Sequence, residues 1–417
     1  MSSSSVFHIK EHIIDAAHIR EYPQATANSQ DEKLQLHVKQ YIPKDNPNPQ
    51  KGHVTIIGGH ANGFPKELYE PLWEDFHREA KARNVFIRSI WIIDAAWQGQ
   101  SGLLNKDVLG NDPGWLDYAR DIVHMINTFR PPAPIMAIGH SFGANALTNV
   151  SLLHPRLLTS LVLLDPVISH YASTPESRIA GPAASSISRR ESWPSRADAA
   201  AAFNRSRFYQ SWDPRVLDRW ISHGVSPVPG SDAVTLTTPK HQELFTFLRP
   251  SWPAYAPDGK TLLRPDLVPD LDASLNHKYP TYPLYRPEGA STVDRLPNVR
   301  PGVLYVFGGK SDISPVELQD EKMTITGSGL GGSGGIKAGR VKKVVGEEYG
   351  HLIPMENPNL CAQAAAEWIQ AELEKWWTDQ RKYEEWAKRP LAEKNTVSDE
   401  WYSYLGKPKN GHAKAKI

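Results

Sequence analysis

A single cysteine, Cys361, serves a chain of 417 residues. One thiol rules out an intrachain disulfide and a cysteine-based zinc site, and it fits a reducing compartment. Net charge is scarce as well. The 47 Lys and Arg against 46 Asp and Glu leave a formal +1, a balance that excludes the basic footprint of a nucleic-acid binder and a charged disordered tail. No run approaches the roughly 18 consecutive apolar residues of a membrane-spanning helix. Met1 to Arg20 holds Ser2 to Ser5 and then Lys10, Glu11, His12 and Asp15, without the apolar core of a secretion signal. The expectation is a soluble, intracellular protein. Proline and tryptophan are plentiful, at 34 and 13 residues, which points to long ordered loops and an aromatic-rich surface or pocket.

Alternating Leu34, Leu36 and Val38 predict an early strand. His53 to Ile57 is a β-branched run stopped by Gly58-Gly59. Glu67 to Arg83 follows with Leu68, Leu72, Phe76 and Ala80 at steps of four, the stripe of an amphipathic helix. Val85 to Ile93 predicts a strand, and Trp115 to Phe129 a helix ending at Pro131-Pro132, where no helix continues. Ile135 to Ile138, Leu161 to Leu164, Val303 to Phe307 and Val341 to Val345 are further short apolar runs. Strands alternating with helices imply an α/β fold with a mostly parallel central sheet, helices covering both faces.

Between Leu164 and Val303 this rhythm breaks in a segment rich in Pro, Trp and Tyr. Three parts are therefore expected: residues 1–165 as the first part of a core, 166–301 as an inserted cap or lid domain, and 302–417 as the second part of the core. Within the insertion, Ser195 to Asn204 and Asp213 to His223 predict helices, the second with Asp213 as N-cap, Pro214 at N1 and Gly224 past its end. The prolines between Ser251 and Pro301 favour extended, ordered loop over helix. Gly327 to Gly335 reads as a flexible loop, and Pro358 to Lys388 as one long terminal helix bearing Trp368, Trp376, Trp377 and Trp386. Of these, Trp376, Trp377 and Trp386 are the candidate face of a homodimer.

Gly139-His140-Ser141-Phe142-Gly143 fits the pattern G-x-S-x-G. Its context is right: the strand Ile135 to Ile138 precedes it, and Ala144 to Leu153 can form a helix. A sharp strand-to-helix turn needs the flanking glycines for close packing, and it lifts the serine hydroxyl above the sheet edge. Gly331-Gly332-Ser333-Gly334-Gly335 also fits the pattern, but with no strand before it and no helix after it. A serine hydroxyl needs a base, and the base needs a carboxylate to orient it. His351, after the last predicted strand and before the terminal helix, is the candidate base. Two aspartates compete for the third role, Asp165 after Leu164 and Asp312 in Gly308-Gly309-Lys310-Ser311-Asp312; both follow a strand at its carboxyl end, where open α/β sheets collect their sites. The oxyanion hole needs backbone N–H donors. Phe142 is the first candidate, and Phe64 or a neighbour in His60-Ala61-Asn62-Gly63-Phe64-Pro65 the second.

Four motifs stand in order: the His60–Phe64 loop, Asp94…Gly99…Ser101, Gly139–Gly143 and Gly350-His351. With them the chain resembles the α/β-hydrolase superfamily over almost its whole length. More narrowly, Arg20-Glu21-Tyr22-Pro23, His37-Val38-Lys39-Gln40-Tyr41, the His60–Glu67 loop and Leu164-Asp165-Pro166-Val167 resemble fungal peroxisomal acyl-CoA hydrolases of secondary metabolism. These include the mycophenolic acid pathway type and toxin-biosynthesis relatives. The resemblance implies an acid after the sixth strand, which falls on Asp165, and Asp312 remains the alternative. It also implies a peroxisomal location. The last three residues, Ala415-Lys416-Ile417, vary the Ser-Lys-Leu address read by the peroxisomal import receptor.

A serine nucleophile implies acyl transfer through an acyl-enzyme. Thioester, ester and lactone hydrolysis all fit that chemistry, and the resemblance implies a hydrophobic acyl thioester, an acyl-CoA, with no metal and no cofactor. An ester or lactone hydrolase is the alternative within the class. A non-catalytic ligand binder is the alternative outside it, because the fold alone does not set function. Arg189, Arg190, Arg196, Arg205 and Arg207 form a basic strip in the insertion that could meet CoA phosphates. Phe203, Phe208, Tyr209, Trp212 and Trp220 could roof an acyl pocket. Arg205, Arg207, Phe203, Phe208, Tyr209 and Trp212 are the substrate-binding candidates.

Overall fold

The computed structural model describes residues 4–170, 180–271 and 281–406. The chain divides into two compact units, Met1–Glu372 and Leu373–Ile417.

In the first unit the chain forms an eight-stranded sheet from β1 (Phe7–Asp15), β2 (Gln35–Pro43), β3 (Val54–Gly59), β4 (Ile87–Ile93), β5 (Ile135–His140), β6 (Ser160–Leu164), β7 (Gly302–Gly308) and β8 (Val341–Gly346). Their order is β1-β2-β4-β3-β5-β6-β7-β8. The pairs β1/β2 and β2/β4 are antiparallel, and the remaining neighbours are parallel. β3, β5, β6 and β7 bury every residue. That is why they read as continuous apolar runs in the sequence: a strand covered on both faces shows no alternation. β1 was not foreseen. It is an edge strand in which only Phe7 is buried, while Lys10 and Glu11 face solvent, so its pattern is weak and its charge protects the edge.

Helices α1 (Glu70–Ala82), α2 (Trp115–Phe129) and α3 (Phe142–Leu153) cover the sheet. α1 starts later than the leucine spacing predicts. A 3₁₀ turn, Lys66–Tyr69, comes first, and Pro71 occupies the opening turn of α1, where its missing N–H costs nothing. The main core runs between α2, α3 and the sheet through Tyr118, Ile122, Met125, Leu147, Val150, Leu161, Leu163 and Phe307.

After β6 the chain leaves the sheet and returns only at β7. This inserted stretch belongs to the first compact unit. It carries α4 (Arg196–Arg205), capped by the Ser195 hydroxyl, and α5 (Pro214–His223), capped by the Asp213 carboxylate. It also holds α6 (Lys240–Phe247), α7 (Pro287–Arg295) and a small three-stranded sheet. α7 corrects the expectation of extended loop there. Pro287 is not a breaker but the N1 residue of the helix, the one helical position that suits proline. The Gly327–Gly335 loop is likewise tied down: the amides of Gly327, Gly329 and Ser333 donate to Leu296, Pro297 and Val299, each at 2.9 Å.

α8 (Pro358–Ala387) spans nearly the whole predicted terminal helix. In the second unit Trp376 and Trp377 meet edge to face at 4.8 Å, and Tyr383, Trp386, Trp401 and Tyr404 are exposed. Ala415-Lys416-Ile417 lies outside the described residues. Among the described residues no helix is long and apolar enough to cross a membrane.

Candidate active site

The parallel strands carry their carboxyl ends to one edge of the sheet. Pairing of His140 with Leu164, and of Leu164 with Val306, brings the residues after β5, β6 and β7 side by side. The strand order reverses between β4-β3 and β5-β6, so a crevice opens at this edge.

Ser141 is the turn between β5 and α3, with φ 55° and ψ −117°. A positive φ in a non-glycine residue costs about 1–3 kcal/mol, and the surroundings hold it in place. Its N–H donates to Leu164 O at 3.0 Å, and its carbonyl accepts from the amides of Asn145 and Val167 at 3.2 and 3.3 Å. Gly139 and Gly143 have no room for a side chain: a Cβ on Gly143 would run into the backbone of Gly59 and His60, and one on Gly139 would sit 2.9 Å from the Gly143 carbonyl. The start of α3 therefore lies directly against the loop after β3. Phe142, 1% exposed, anchors the turn from beneath, stacked on Tyr118 at 5.1 Å and edge-on to Trp115 at 5.1 Å.

His351 lies in the loop after β8. Its Nε2 is 2.8 Å from Ser141 Oγ, and its Nδ1 is 2.6 Å from Asp165 Oδ2. A carboxylate can only accept, so Nδ1 carries the proton and Nε2 accepts from the serine hydroxyl. Asp165 is fully buried, whereas the His351 side chain is 24% exposed. Ser311 Oγ donates to the same Asp165 Oδ2 at 2.6 Å, while Oδ1 is buried with no hydrogen-bond partner among the described residues. The structure thus brings Ser141, His351 and Asp165 together in one chain of hydrogen bonds. Asp312 is exposed in the turn after β7, where its neighbour Ser311, and not Asp312 itself, reaches the cluster.

The loop after β3 distinguishes between Phe64 and its neighbours as donors. The Phe64 N–H closes a turn on Ala61 O at 3.2 Å, and that bond uses the hydrogen an oxyanion would need. The amides of His60, Ala61 and Gly63 are taken by Tyr118 Oη, Tyr69 Oη and Gln98 Oε1. The amides of Asn62 and Phe142 have no acceptor among the described residues. Gln98, 1% exposed, clamps this loop: its amide nitrogen donates to Asn62 Oδ1 at 2.6 Å and to Thr246 Oγ1 of α6 at 3.0 Å. Asn62 Nδ2 donates in turn to Glu243 O at 3.0 Å.

The Phe64 ring points to the insertion, 5.7 Å from Trp212 and 6.0 Å from Trp220. Phe203, Tyr209, Trp212 and Trp220 pack on one another at centroid distances of 4.9–6.2 Å, and Phe208 is 52% exposed at their edge. The basic strip is not uniform. Arg189 pairs with Glu243, Arg190 donates to Ser192 O at 2.7 Å, and Arg196 donates to Ile221 O and Ser222 O at 2.6 and 2.9 Å. Arg205 and Arg207 are exposed. Among the described residues no group of three or more His, Cys, Asp or Glu could hold a metal ion.

Sequence reasoning did not single out Gln98, Ser311, Tyr69 or His140 for the site. His140 and Ser311 had a visible signal, their places inside the Gly139–Gly143 and Gly308–Asp312 pentapeptides.

A mostly parallel sheet with a serine on a strained strand-to-helix turn, hydrogen-bonded to a histidine and an aspartate from neighbouring strand ends, is the architecture of an α/β hydrolase. A model of the alpha/beta hydrolase family matches residues 57–364, and the chain belongs to that family. It is a hydrolase. The chain is 40% identical to the type I acyl-CoA thioesterase mpaH of Penicillium brevicompactum, across 97% of this chain and 96% of that protein. It is 36% identical to the type I acyl-CoA thioesterase mpaH of Penicillium roqueforti (strain FM164), across 99% and 98%. Among solved structures, the peroxisomal alpha-beta-hydrolase Lpx1 of Saccharomyces cerevisiae superposes with a TM-score of 0.66 at 16% identity, over 95% of this chain and 100% of that one. E-2-(acetamidomethylene)succinate hydrolase does so with a TM-score of 0.53 at 16% identity, over 87% and 99%. These two share the fold.

Proposed function

We propose that this chain is a serine hydrolase that cleaves the thioester of a hydrophobic acyl-CoA, with Ser141, His351 and Asp165 as its catalytic triad. The observation that carries the proposal is the hydrogen-bond chain Ser141–His351–Asp165 at the carboxyl edge of the sheet. Near-full-length likeness to proteins named acyl-CoA thioesterases supports the choice of substrate.

In this mechanism Ser141 Oγ attacks the thioester carbonyl carbon while its proton passes to His351 Nε2. The ionised Asp165 holds the ring in the required tautomer and stabilises the imidazolium. The oxyanion is held by the N–H groups of Phe142 and Asn62, so Asn62 takes the place expected of Phe64. Collapse breaks the C–S bond, and His351 returns its proton to the CoA sulfur, leaving an acyl-enzyme. Water then attacks the ester, giving its proton to His351. The second collapse reprotonates Ser141 and releases the carboxylic acid.

The residues of the insertion, roughly 166–301, serve in this reading as the cap over the site. The aromatic group of Phe203, Phe208, Tyr209 and Trp212 borders the acyl chain, and the exposed Arg205 and Arg207 meet CoA phosphates. Ser141→Ala is the direct test: turnover and fluorophosphonate labelling vanish while the melting temperature stays near that of the wild type. Undiminished hydrolysis would refute the mechanism. Comparing kcat/KM on a panel of acyl-CoA thioesters and their oxygen esters separates thioesterase from esterase.

Two further readings belong to the same proposal. Ala415-Lys416-Ile417 acts as a peroxisomal address, consistent with a role in fungal secondary metabolism, and deleting it from a fluorescent fusion disperses a punctate signal. The exposed aromatics around Trp386 support a homodimer, which sedimentation showing only monomer would exclude.

A further inference from the structure

Behind the proposed triad, a second chain of hydrogen bonds joins the loop after β3, the Ser141 turn and the His351 loop. Ala61 N–H donates to Tyr69 Oη at 2.8 Å, Tyr69 Oη lies 2.9 Å from His140 Nδ1, and His140 Nε2 lies 2.9 Å from the backbone carbonyl of His351. Tyr69 is 2% exposed and His140 fully buried. Ala61 precedes the proposed oxyanion donor Asn62, His140 precedes the proposed nucleophile, and the last acceptor is the backbone of the proposed base. One chain thus ties together the loops that carry the proposed oxyanion donor, nucleophile and base.

Its direction is determined by valence alone. The His351 carbonyl can only accept, so His140 Nε2 bears the proton. A neutral imidazole then has an acceptor at Nδ1, which the Tyr69 hydroxyl fills as donor. The phenol oxygen remains free to accept from Ala61 N–H. Each group is satisfied, and each has one role.

We propose that Tyr69 and His140 are a positioning pair that holds the oxyanion loop and the His351 loop in register with Ser141. The pair rests on the assignment of Ser141 as nucleophile, and neither residue touches the reacting atoms. A neutral His140 is part of the device. A proton at Nδ1 would leave the Tyr69 hydrogen without its acceptor and set a second positive charge beside the His351 ring, whose centroid is 5.2 Å away, just as that ring becomes an imidazolium. Burial, followed by the neighbouring His351, holds the His140 pKa well below the ordinary histidine range.

Three substitutions separate positioning from packing. Tyr69→Phe deletes one oxygen and breaks the tether to Ala61. His140→Asn keeps an acceptor where Nδ1 stood but cannot reach the His351 carbonyl. His140→Gln places an amide N–H where Nε2 stood, so the tether to the His351 carbonyl and the Ala61–Tyr69 bond survive while the Nδ1 acceptor of Tyr69 is given up. The assay is the rate of fluorophosphonate labelling at Ser141, with kcat and KM on a p-nitrophenyl ester, counted per folded molecule from thermal melts.

Misplacement of a catalytic group by about 1 Å costs on the order of 100-fold. The expected kcat and labelling rate therefore fall roughly 10- to 100-fold in Tyr69→Phe and His140→Asn, with KM within about twofold, while His140→Gln recovers to within about fivefold of the wild type. Wild-type rates in Tyr69→Phe, or equal rates in His140→Gln and His140→Asn, overturn the pair's role while leaving the nucleophile assignment standing. Persistent turnover in Ser141→Ala overturns both.

Discussion

Replacing Asp165 with asparagine isolates what the carboxylate does for His351, because the shape is retained and only the charge and one acceptor are lost. Asp165 Oδ2 receives two donors, His351 Nδ1 and Ser311 Oγ, each at 2.6 Å. An amide has two ways to fit. With its NH₂ at the Oδ2 position, it satisfies Ser311, whose hydroxyl rotates to accept, but it donates to His351 Nδ1. The proton then moves to Nε2, which faces Ser141 and can no longer accept. With its carbonyl at the Oδ2 position the tautomer survives, but the NH₂ occupies the Oδ1 site, where no partner stands among the described residues. A buried unsatisfied donor costs about 1–3 kcal/mol, so the first orientation prevails. The productive orientation also loses a charge-assisted hydrogen bond to the imidazolium, worth about 1.5–3 kcal/mol. Together the two effects reach about 2.5–6 kcal/mol, a fall in kcat of roughly 10²- to 10⁴-fold. Initial rates on an acyl-CoA, read by thiol release, measure it. Asp312→Asn, at an exposed side chain, stays within about twofold of the wild type. A large loss in Asp312→Asn with a near-normal Asp165→Asn would refute the reasoning.

Gly143→Ala forces a methyl group against the backbone of Gly59 and His60, which cannot rotate away; stability falls by about 1–3 kcal/mol in urea unfolding, and kcat falls with it. His223 is partly buried on α5, and burial first of all pulls its pKa down to about 4, Glu67 opposing this. The folded state therefore resists a proton that the unfolded chain accepts near pH 6.5, so this contribution to stability is full above that pH and drains away as pH falls toward 4. His223→Gln should lose about 1 kcal/mol less than the wild type between pH 7 and pH 5; parallel urea midpoints for the two proteins would count against it. Reversing both exposed arginines, Arg205→Glu with Arg207→Glu, should raise KM for an acyl-CoA by roughly fivefold while leaving a p-nitrophenyl ester within about twofold. Equal effects on the two substrates would remove the phosphate role.

Much of the sheet was legible because its central strands are buried on both faces, and Ile135 to Ile138 or Leu161 to Leu164 can hardly be anything else. β1 was not, since an edge strand with one half-buried face carries little periodic signal. Proline misled in one place and helped in another. Pro214 after Asp213 announced a helix start, whereas Pro287, in the same structural position, was lost among the surrounding prolines. At the site, Ser141 stood out because the strand-to-helix turn needs its own glycines, and His351 because of its place after the last strand.

The choice between Asp165 and Asp312 as partner of His351 was not in the local pattern, since both aspartates follow a strand at its carboxyl end. Tertiary structure decided the contact: Asp165 turns inward at the end of β6 to meet His351 across 186 positions of sequence, while Asp312 stays in an exposed turn. The same holds for the loop after β3. Its spacing marked where oxyanion donors should lie, but the competing bond from Phe64 to Ala61 and the grip of Gln98 on Asn62 arise only when distant segments close on it. Local sequence determines what each turn can do, because glycine, proline and β-branched residues act on their own backbone. Which donor is left free and which carboxylate meets the imidazole depend on partners remote in the chain, and only the folded chain brings those together.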